Sequence, residues 1–294
     1  MFYEHPSLKR EVPPQAKLES AIVVLNPAES KHLIAKAVAV LPEVKAALKK
    51  GTLAIGWGTT NAFVAEEILG TTIAYKTDFA SGVVCGGELN SNHSDTKIMP
   101  YVLEDGKPSE MHQKAALSEF KLGDVFIKGA NAVDTTGDIG IMVAAQHGGS
   151  ISHAWFATVG RGGHFICPVG LEKLVPSVKE AVKKCCFYRY KYSMGLPVSL
   201  IALSLAKVVT EIQAIQVLTG VSATHVASGG IAGSEGAITL VLEGEVTALE
   251  QAFELVKSIK GESPLPPARM FRSPPAASLS YDARALLQTY EWAP

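Results

Sequence analysis

Three times in this sequence a short apolar run breaks into a glycine-bearing polar turn and then resumes as regular structure, an alternation that few architectures accommodate. The first instance is KGTLAIGWGTTNAFVAEEIL, Lys50 to Leu69. Thr52 to Ile55 reads as a buried strand, Gly56 and Gly58 permit a sharp turn, and Thr59, Thr60 and Asn61 open a helix over Ala62 to Leu69. Unpaired amides and the positive end of the helix dipole meet at such a turn, which makes it an address for a phosphate or carboxylate. The turn is equally consistent with a plain N-cap between a strand and a helix. The second instance is the strand Asp124 to Ile127, the polar loop KGANAVDTTGD and the apolar run Ile139 to Ala145. In the third, Gly148-Gly149-Ser150 opens a helix that leads to the strand His164 to Pro168. Together they predict an α/β fold with an open, mostly parallel sheet covered by helices on both faces, and a ligand crevice at the carboxyl ends of its strands.

The chain has 294 residues, 47% hydrophobic and 19% charged, with formal net charge -1. That is enough apolar material for a large core, and it leaves no global basic field to gather nucleic acid. Basic and aromatic residues interleave from Lys183 to Tyr192, but near-neutral charge makes this stretch an interdomain seam or a contact in a homo-oligomer rather than a nucleic-acid site. Cys85, Cys167, Cys185 and Cys186 show no metal-binding or disulfide spacing and read as reduced thiols. The N-terminal stretch MFYEHPSLKREVPP is polar where a signal peptide is apolar, and the longest apolar run, Pro197 to Ala206, is too short to span a bilayer. A soluble cytoplasmic protein with no membrane partner is the expectation, and no cofactor motif is present.

In chain order, residues 1–20 read as an extended arm and Ala21 to Leu25 as a strand. Asn26-Pro27-Ala28-Glu29 has the pattern of a capped helix start, and a second helix spans Pro42 to Lys50. Thr71 to Tyr75 is expected as a strand, Phe79 to Asn92 as a loop, Ile98 to Leu103 as a strand, Met111 to Phe120 and Leu171 to Lys184 as helices. From Pro197 the order becomes strand (197–203), helix (206–219), strand (222–227), glycine-rich hairpin turn (228–236), strand (237–242) and helix (246–259). This βαββα order predicts a small ferredoxin-like α+β domain. The expected division is thus an arm (1–20), the α/β domain (21–192), the small domain (193–262) and a proline-rich tail (263–294) with a last helix over Tyr281 to Tyr290.

These blocks resemble, in order and motif, the NagB/RpiA/CoA-transferase superfamily, over roughly residues 30 to 260. Gly56-Trp57-Gly58-Thr59-Thr60 looks like the phosphate turn of ribose-5-phosphate isomerase. Residues 124–134, DVFIKGANAVD, resemble its strand and DGADE loop, and Gly148-Gly149-Ser150 with His164-Phe165-Ile166-Cys167 resembles its glycine run and following strand. Lys173 then falls on a pocket lysine of that family. A second likeness is to the lactate-utilisation type domain, whose blocks are similar to Ile127 to Asp134 and Phe165 to Pro176. The resemblance implies an enzyme acting on a small anionic metabolite, a phosphosugar or carboxylate. It does not extend to ribose-5-phosphate isomerisation: Lys128 and Asn131 replace the two aspartates of DGAD, and the catalytic glutamate position falls near Trp155.

Candidate ligand-binding residues are therefore Gly58, Thr59, Thr60, Asn61, Lys128, Asn131, Gly148, Gly149, Ser150 and Lys173, with His153 and Asp134 as candidates for moving a proton. His147 and Arg161 are further polar groups near the expected crevice. Lys128 is the most telling, because an ammonium at the end of a buried strand needs an anion to face it. A binding or sensor protein that keeps the pocket without catalysis is the alternative. Asp134 with Asp138 has only the spacing of an ordinary polar turn, and no metal site is assigned.

Overall fold

Strand β1 (Leu18–Leu25) runs into a reciprocal cap that starts the first helix. The Asn26 side chain accepts from the amides of Ala28 and Glu29, and the Glu29 carboxylate accepts from the Asn26 amide, all at 2.9 Å. Helix α1 (Pro27–Val40) is followed by α2 (Pro42–Lys49), β2 (Thr52–Ile55) and α3 (Thr59–Leu69). Then come the hairpin β3 (Gly82–Cys85) and β4 (Glu88–Ser91), the strands β5 (Tyr101–Glu104) and β6 (Lys107–Pro108), and α4 (Gln113–Ser118). The middle of the chain holds β7 (Val125–Ile127), β8 (Ala132–Val133), β9 (Ile139–Val143), α5 (Ser150–Val159), β10 (His164–Pro168) and α6 (Val178–Lys184). The remainder is β11 (Tyr192–Ser193), β12 (Ser199–Leu203), β13 (Lys207–Val209), α7 (Glu211–Thr219), β14 (Ser222–Ser228), β15 (Ile238–Glu245), α8 (Val246–Ser258) and β16 (Tyr281–Asp282). This computed structural model describes residues 1–4, 17–92, 94–145, 148–269 and 281–282.

The principal sheet has six strands in the order β13-β10-β7-β2-β5-β6. β13, β10, β7 and β2 are mutually parallel, whereas β5 and β6 extend the edge antiparallel. Period-two alternation divides its side chains between two cores. Leu53, Ile55, Val125, Ile127 and Ile166 pack on one face with residues of α1, α3 and α7. Ala54, Phe126, Phe165 and Cys167 pack on the other with residues of α4 and α5. The fold is α/β with helices on both faces of a sheet that contains parallel strands.

A second sheet, β1-β15-β14, is antiparallel throughout, and β9 is paired antiparallel with both β12 and β8 in a third. The pairing corrects the expected βαββα order. β12 (Ser199–Leu203) lies against β9 and takes no part in the sheet of β14 and β15, where β1 fills the place beside β15. The expected boundary at 192/193 is crossed by packing as well: Ala214, Ile215, Leu240 and Leu242 share one buried cluster with Leu33, Leu53 and Ile127. The predicted hairpin at 228–236 is present, with Ser228 paired to Ile238.

Several predicted elements shift for identifiable reasons. The helix expected over 206–219 splits into β13 and α7, because Thr210 and Gln213 form a capping box that fixes the helix start at Glu211. The helix expected over 171–184 shortens to α6: Pro176 interrupts it and Ser177 caps the remainder by accepting from the Glu180 amide at 3.2 Å. Residues 71–75 form no strand, and the expected loop 79–92 holds the β3-β4 hairpin, turned at Gly86 and Gly87 with φ of 62° and 81°. Tyr281–Asp282 pair as a strand with Tyr192–Ser193, so the predicted helix does not begin there, and its later residues, like Phe271, fall outside those described. Among the described residues no helix is long and apolar enough to cross a membrane.

Candidate functional site

Four parallel strands end at one edge of the principal sheet, and each hands the chain to a polar segment there. At β2 the chain turns through Gly56-Trp57-Gly58 into α3. Asn61 is 0% exposed and locks this turn: its Nδ2 donates to the Gly56 carbonyl at 2.7 Å and to the Ile127 carbonyl at 3.2 Å. A Cβ on Gly56 would lie 3.3 Å from the Phe126 ring, so the turn passes close over β7 at this point. Helix α3 begins at Thr59 with Gly58 as its N-cap, and no side chain caps its first turn. Its leading amides and dipole are thereby left facing the strand ends.

Lys128 leaves β7 beside this turn, and its Nζ donates to the Trp57 carbonyl at 3.3 Å. The Trp57 indole donates to the Ile98 carbonyl at 2.8 Å, and the Lys97 ammonium lies 5.3 Å from the centre of its ring. Burial pulls the Lys128 ammonium down from its ordinary value to about 8, with Cys167 the one opposing group among the described residues. Burial lowers Lys97 as well, and no carboxylate among the described residues enters the electrostatics of either lysine. Two lysines without acidic partners among the described residues thus lie against Trp57, in the turn that leads into α3.

The edge continues past β10. Cys167 is fully buried, and its thiol is pushed up to about 12 by that burial, against the pull of Lys173 and Lys128. It is therefore an inert thiol within the electrostatic reach of two ammonium groups. Lys173 donates to the Ala130 carbonyl at 3.0 Å. Beyond it lies a group of charges that sequence reasoning missed. Lys31, from the first turns of α1, is 3.5 Å from the Glu172 carboxylate and donates to the Pro27 carbonyl at 3.2 Å. Glu211, the first residue of α7, is 0% exposed and accepts from the Leu171 amide through both oxygens, at 3.2 and 3.0 Å. Burial and then the neighbouring Glu172 charge push its carboxyl up to about 7. Glu172 Oε2 is enclosed with no hydrogen-bond partner among the described residues, and a side chain on Gly170 would collide with it. The Thr210-x-x-Gln213 capping box was the sequence signal that places Glu211 at a helix start on the strand edge.

Of the predicted residues, the structure gathers Gly58, Thr59, Thr60, Asn61, Lys128 and Lys173 at this edge. Asn61 serves the turn itself, since its amide is spent on backbone carbonyls. Asp134 ties a loop to a helix. Its Oδ1 accepts from the Thr136 amide and hydroxyl and the Asp138 amide, and its Oδ2 accepts from the Val178 amide at the start of α6. Burial alone would raise its carboxyl, but these donors outweigh it and hold the group below its ordinary value. A carboxylate so engaged is a poor proton acceptor. Asn131 is exposed and joins β8 to β9, its side chain accepting from the Met142 amide at 2.9 Å.

Gly148, Gly149 and Ser150 follow β9, which belongs to the third sheet, so the third turn does not leave a strand of the principal sheet as expected. His153 lines a different cleft, of about 270 Å³, together with Ser118, Phe156 and Arg161. Arg161 precedes β10 and so marks the opposite edge of the sheet. His147 lies outside the described residues. Trp155, at the position the resemblance assigns to a glutamate, packs against the core of the α4 and α5 face. Comparison of the chain with protein-family models, with curated proteins and with solved structures finds no match.

Proposed function

We propose that this chain is an enzyme of the NagB/RpiA/CoA-transferase type that acts on a small anionic metabolite, a phosphosugar or a carboxylate, by a reaction other than ribose-5-phosphate isomerisation. The ligand's anion sits at the head of α3, on its leading amides, with Lys128 beside it. One observation carries this reading: Lys128, at the end of the central parallel strand, is bound to the Trp57 carbonyl of the α3 turn and has no carboxylate facing it among the described residues. An ammonium half withdrawn from water without a counter-charge is costly, and a ligand anion would supply the missing partner. Carboxyl-edge crevices of parallel sheets are also where α/β folds place ligands.

A ligand sensor without turnover is the second reading. It draws support from the two residues expected to move protons, because Asp134 is consumed by its four hydrogen-bond donors and His153 opens onto another cleft.

The test is a thermal-shift and calorimetry screen of phosphosugars, carboxylates, acyl-CoA compounds and inorganic phosphate. Lys128→Ala is expected to weaken the best anion by at least about 30-fold, the usual scale for truncating one partner of a buried charge pair. Unchanged affinity in that variant overturns the assignment. Turnover of the bound compound then separates the enzyme from the sensor.

A further inference from the structure

We infer that His32 is a protonation-dependent clasp: as an imidazolium it fastens residues 261–269, the strap that follows α8, against α1 and α3, and on losing its proton it loosens that strap. His32 lies on α1 with both ring nitrogens engaged. Nδ1 is 2.8 Å from Oε2 of Glu262 in the strap, and Nε2 is 3.1 Å from Oε1 of Glu67 on α3. The side chain is 25% exposed and stacks on Phe63 of α3, with 5.8 Å between ring centres. A carboxylate only accepts hydrogen bonds and a neutral imidazole has a single N–H, so a ring that serves two carboxylates at once carries both protons.

The charges around the ring do not replace it. Glu67 has a second donor in Lys36, one turn along α1, at 3.0 Å, whereas the Glu262 carboxylate has His32 as its sole donor among the described residues. Next to Glu67, Glu66 is paired with Lys76 at 2.9 Å, and Lys76 lies 4.7 Å from the centre of the Phe63 ring. Before Glu262, the Lys260 ammonium and the Gly261 amide both donate to Glu29, at 2.6 and 3.1 Å. When the ring turns neutral, its one N–H either leaves Glu262 without a donor or stays on Nδ1 with the Nε2 lone pair set against Glu67. In both cases the charge-assisted bond that holds the strap is gone.

Residues 261–269 form no helix or strand, and Pro264, Pro266 and Pro267 bring no N–H to tie the segment down. Past Glu262 the strap is attached through Leu265, packed on the core shared with α1 and α3, and through Arg269, which lies 4.5 Å from the centre of the Tyr75 ring and 3.6 Å from the Asp78 carboxylate. Asp78 precedes Phe79, whose carbonyl accepts from the Gly58 amide at 2.8 Å, so the strap ends beside the N-cap of α3. A segment held by few contacts opens without unfolding the protein, and one charge-assisted bond is a large share of what closes it.

The experiment is amide hydrogen exchange of the full chain, read by mass spectrometry over peptides covering Glu262 to Arg269 at about pH 5.5 and about pH 8 and corrected for the intrinsic rate at each pH. Protection of the strap is expected to be about tenfold higher at the lower pH, the difference between a charged and a neutral donor. His32→Gln and Glu262→Gln should each give equal corrected protection at the two pH values. Glu211→Gln should keep the wild-type difference, which separates the clasp from the buried carboxyl that also titrates near neutrality. Equal corrected protection of the wild-type strap at both pH values overturns the inference. So does a difference that survives in either clasp variant, or one that disappears in Glu211→Gln. The wild-type and Glu262→Gln measurements decide the matter even where His32→Gln fails to fold.

Discussion

Replacing Lys128 by methionine should make the protein more stable and less able to bind anions. The side chain keeps its length and loses its charge, so the folded state no longer holds a half-buried, partly desolvated ammonium without a counter-ion among the described residues. A fall from the ordinary 10.5 to about 8 corresponds to roughly 3 kcal/mol, at about 1.4 kcal/mol per pH unit. The hydrogen bond to the Trp57 carbonyl is lost with the ammonium, at a cost of about 1 kcal/mol. The expected net gain is therefore about 2 kcal/mol in urea unfolding at pH 7. The sign with pH is fixed. Below pH 8 the lysine is charged in both states and the burden is complete. Between 8 and 10.5 the folded state releases a proton that the unfolded chain still holds, so the wild type gains stability as pH rises and the difference fades. A variant that is less stable than wild type at pH 7, or a difference that does not change between pH 7 and pH 10, refutes the reasoning. Stabilisation accompanied by loss of anion binding marks a residue kept for its chemistry and not for the fold.

Two further outcomes follow from buried carboxylates. Glu211→Gln should leave stability near wild type at pH 4.5 and raise it by about 1 to 3 kcal/mol at pH 8, because a carboxyl whose folded value is about 7 holds a proton that the unfolded chain gives up from its ordinary 4.5 upward. Urea titrations at the two pH values check this, and an equal difference at both contradicts it. Asp134→Asn should cost about 2 kcal/mol, since an amide cannot accept from all four donors that the carboxylate satisfies, while phosphate affinity measured by calorimetry stays unchanged. Because the folded carboxyl is held below its ordinary value, the stability it contributes is present above the ordinary carboxylate range and is lost as pH falls through the lowered value.

Local signals carried much of the fold. The capped start of α1, the run from β2 through Gly56 and Gly58 into α3, and the strands β7 and β10 are written in neighbouring residues, because caps, turns and period-two burial are short-range effects. Lys128 was legible for the same reason: an ammonium directly after three buried strand residues stands out in any sequence. The expected likeness to a superfamily named Lys173 as a pocket residue but also put weight on Asp134 and Asn131, whose side chains the structure commits to neighbouring backbone amides.

Strand partnership was not local, and it governed the rest. Whether Ser199–Leu203 joins β14 and β15 or crosses to β9 depends on which apolar faces meet after some sixty intervening residues have packed. The same long-range closure carries Lys31 from the start of one helix, Glu172 from a loop and Glu211 from the head of another helix to a common buried group. The class of fold, the α3 turn and the exceptional lysine could be read from residue order alone, since each is set by the preferences of adjacent residues. Which charges face one another emerged with the packed fold, because burial and Coulomb interactions act on distances through space that residue order does not record.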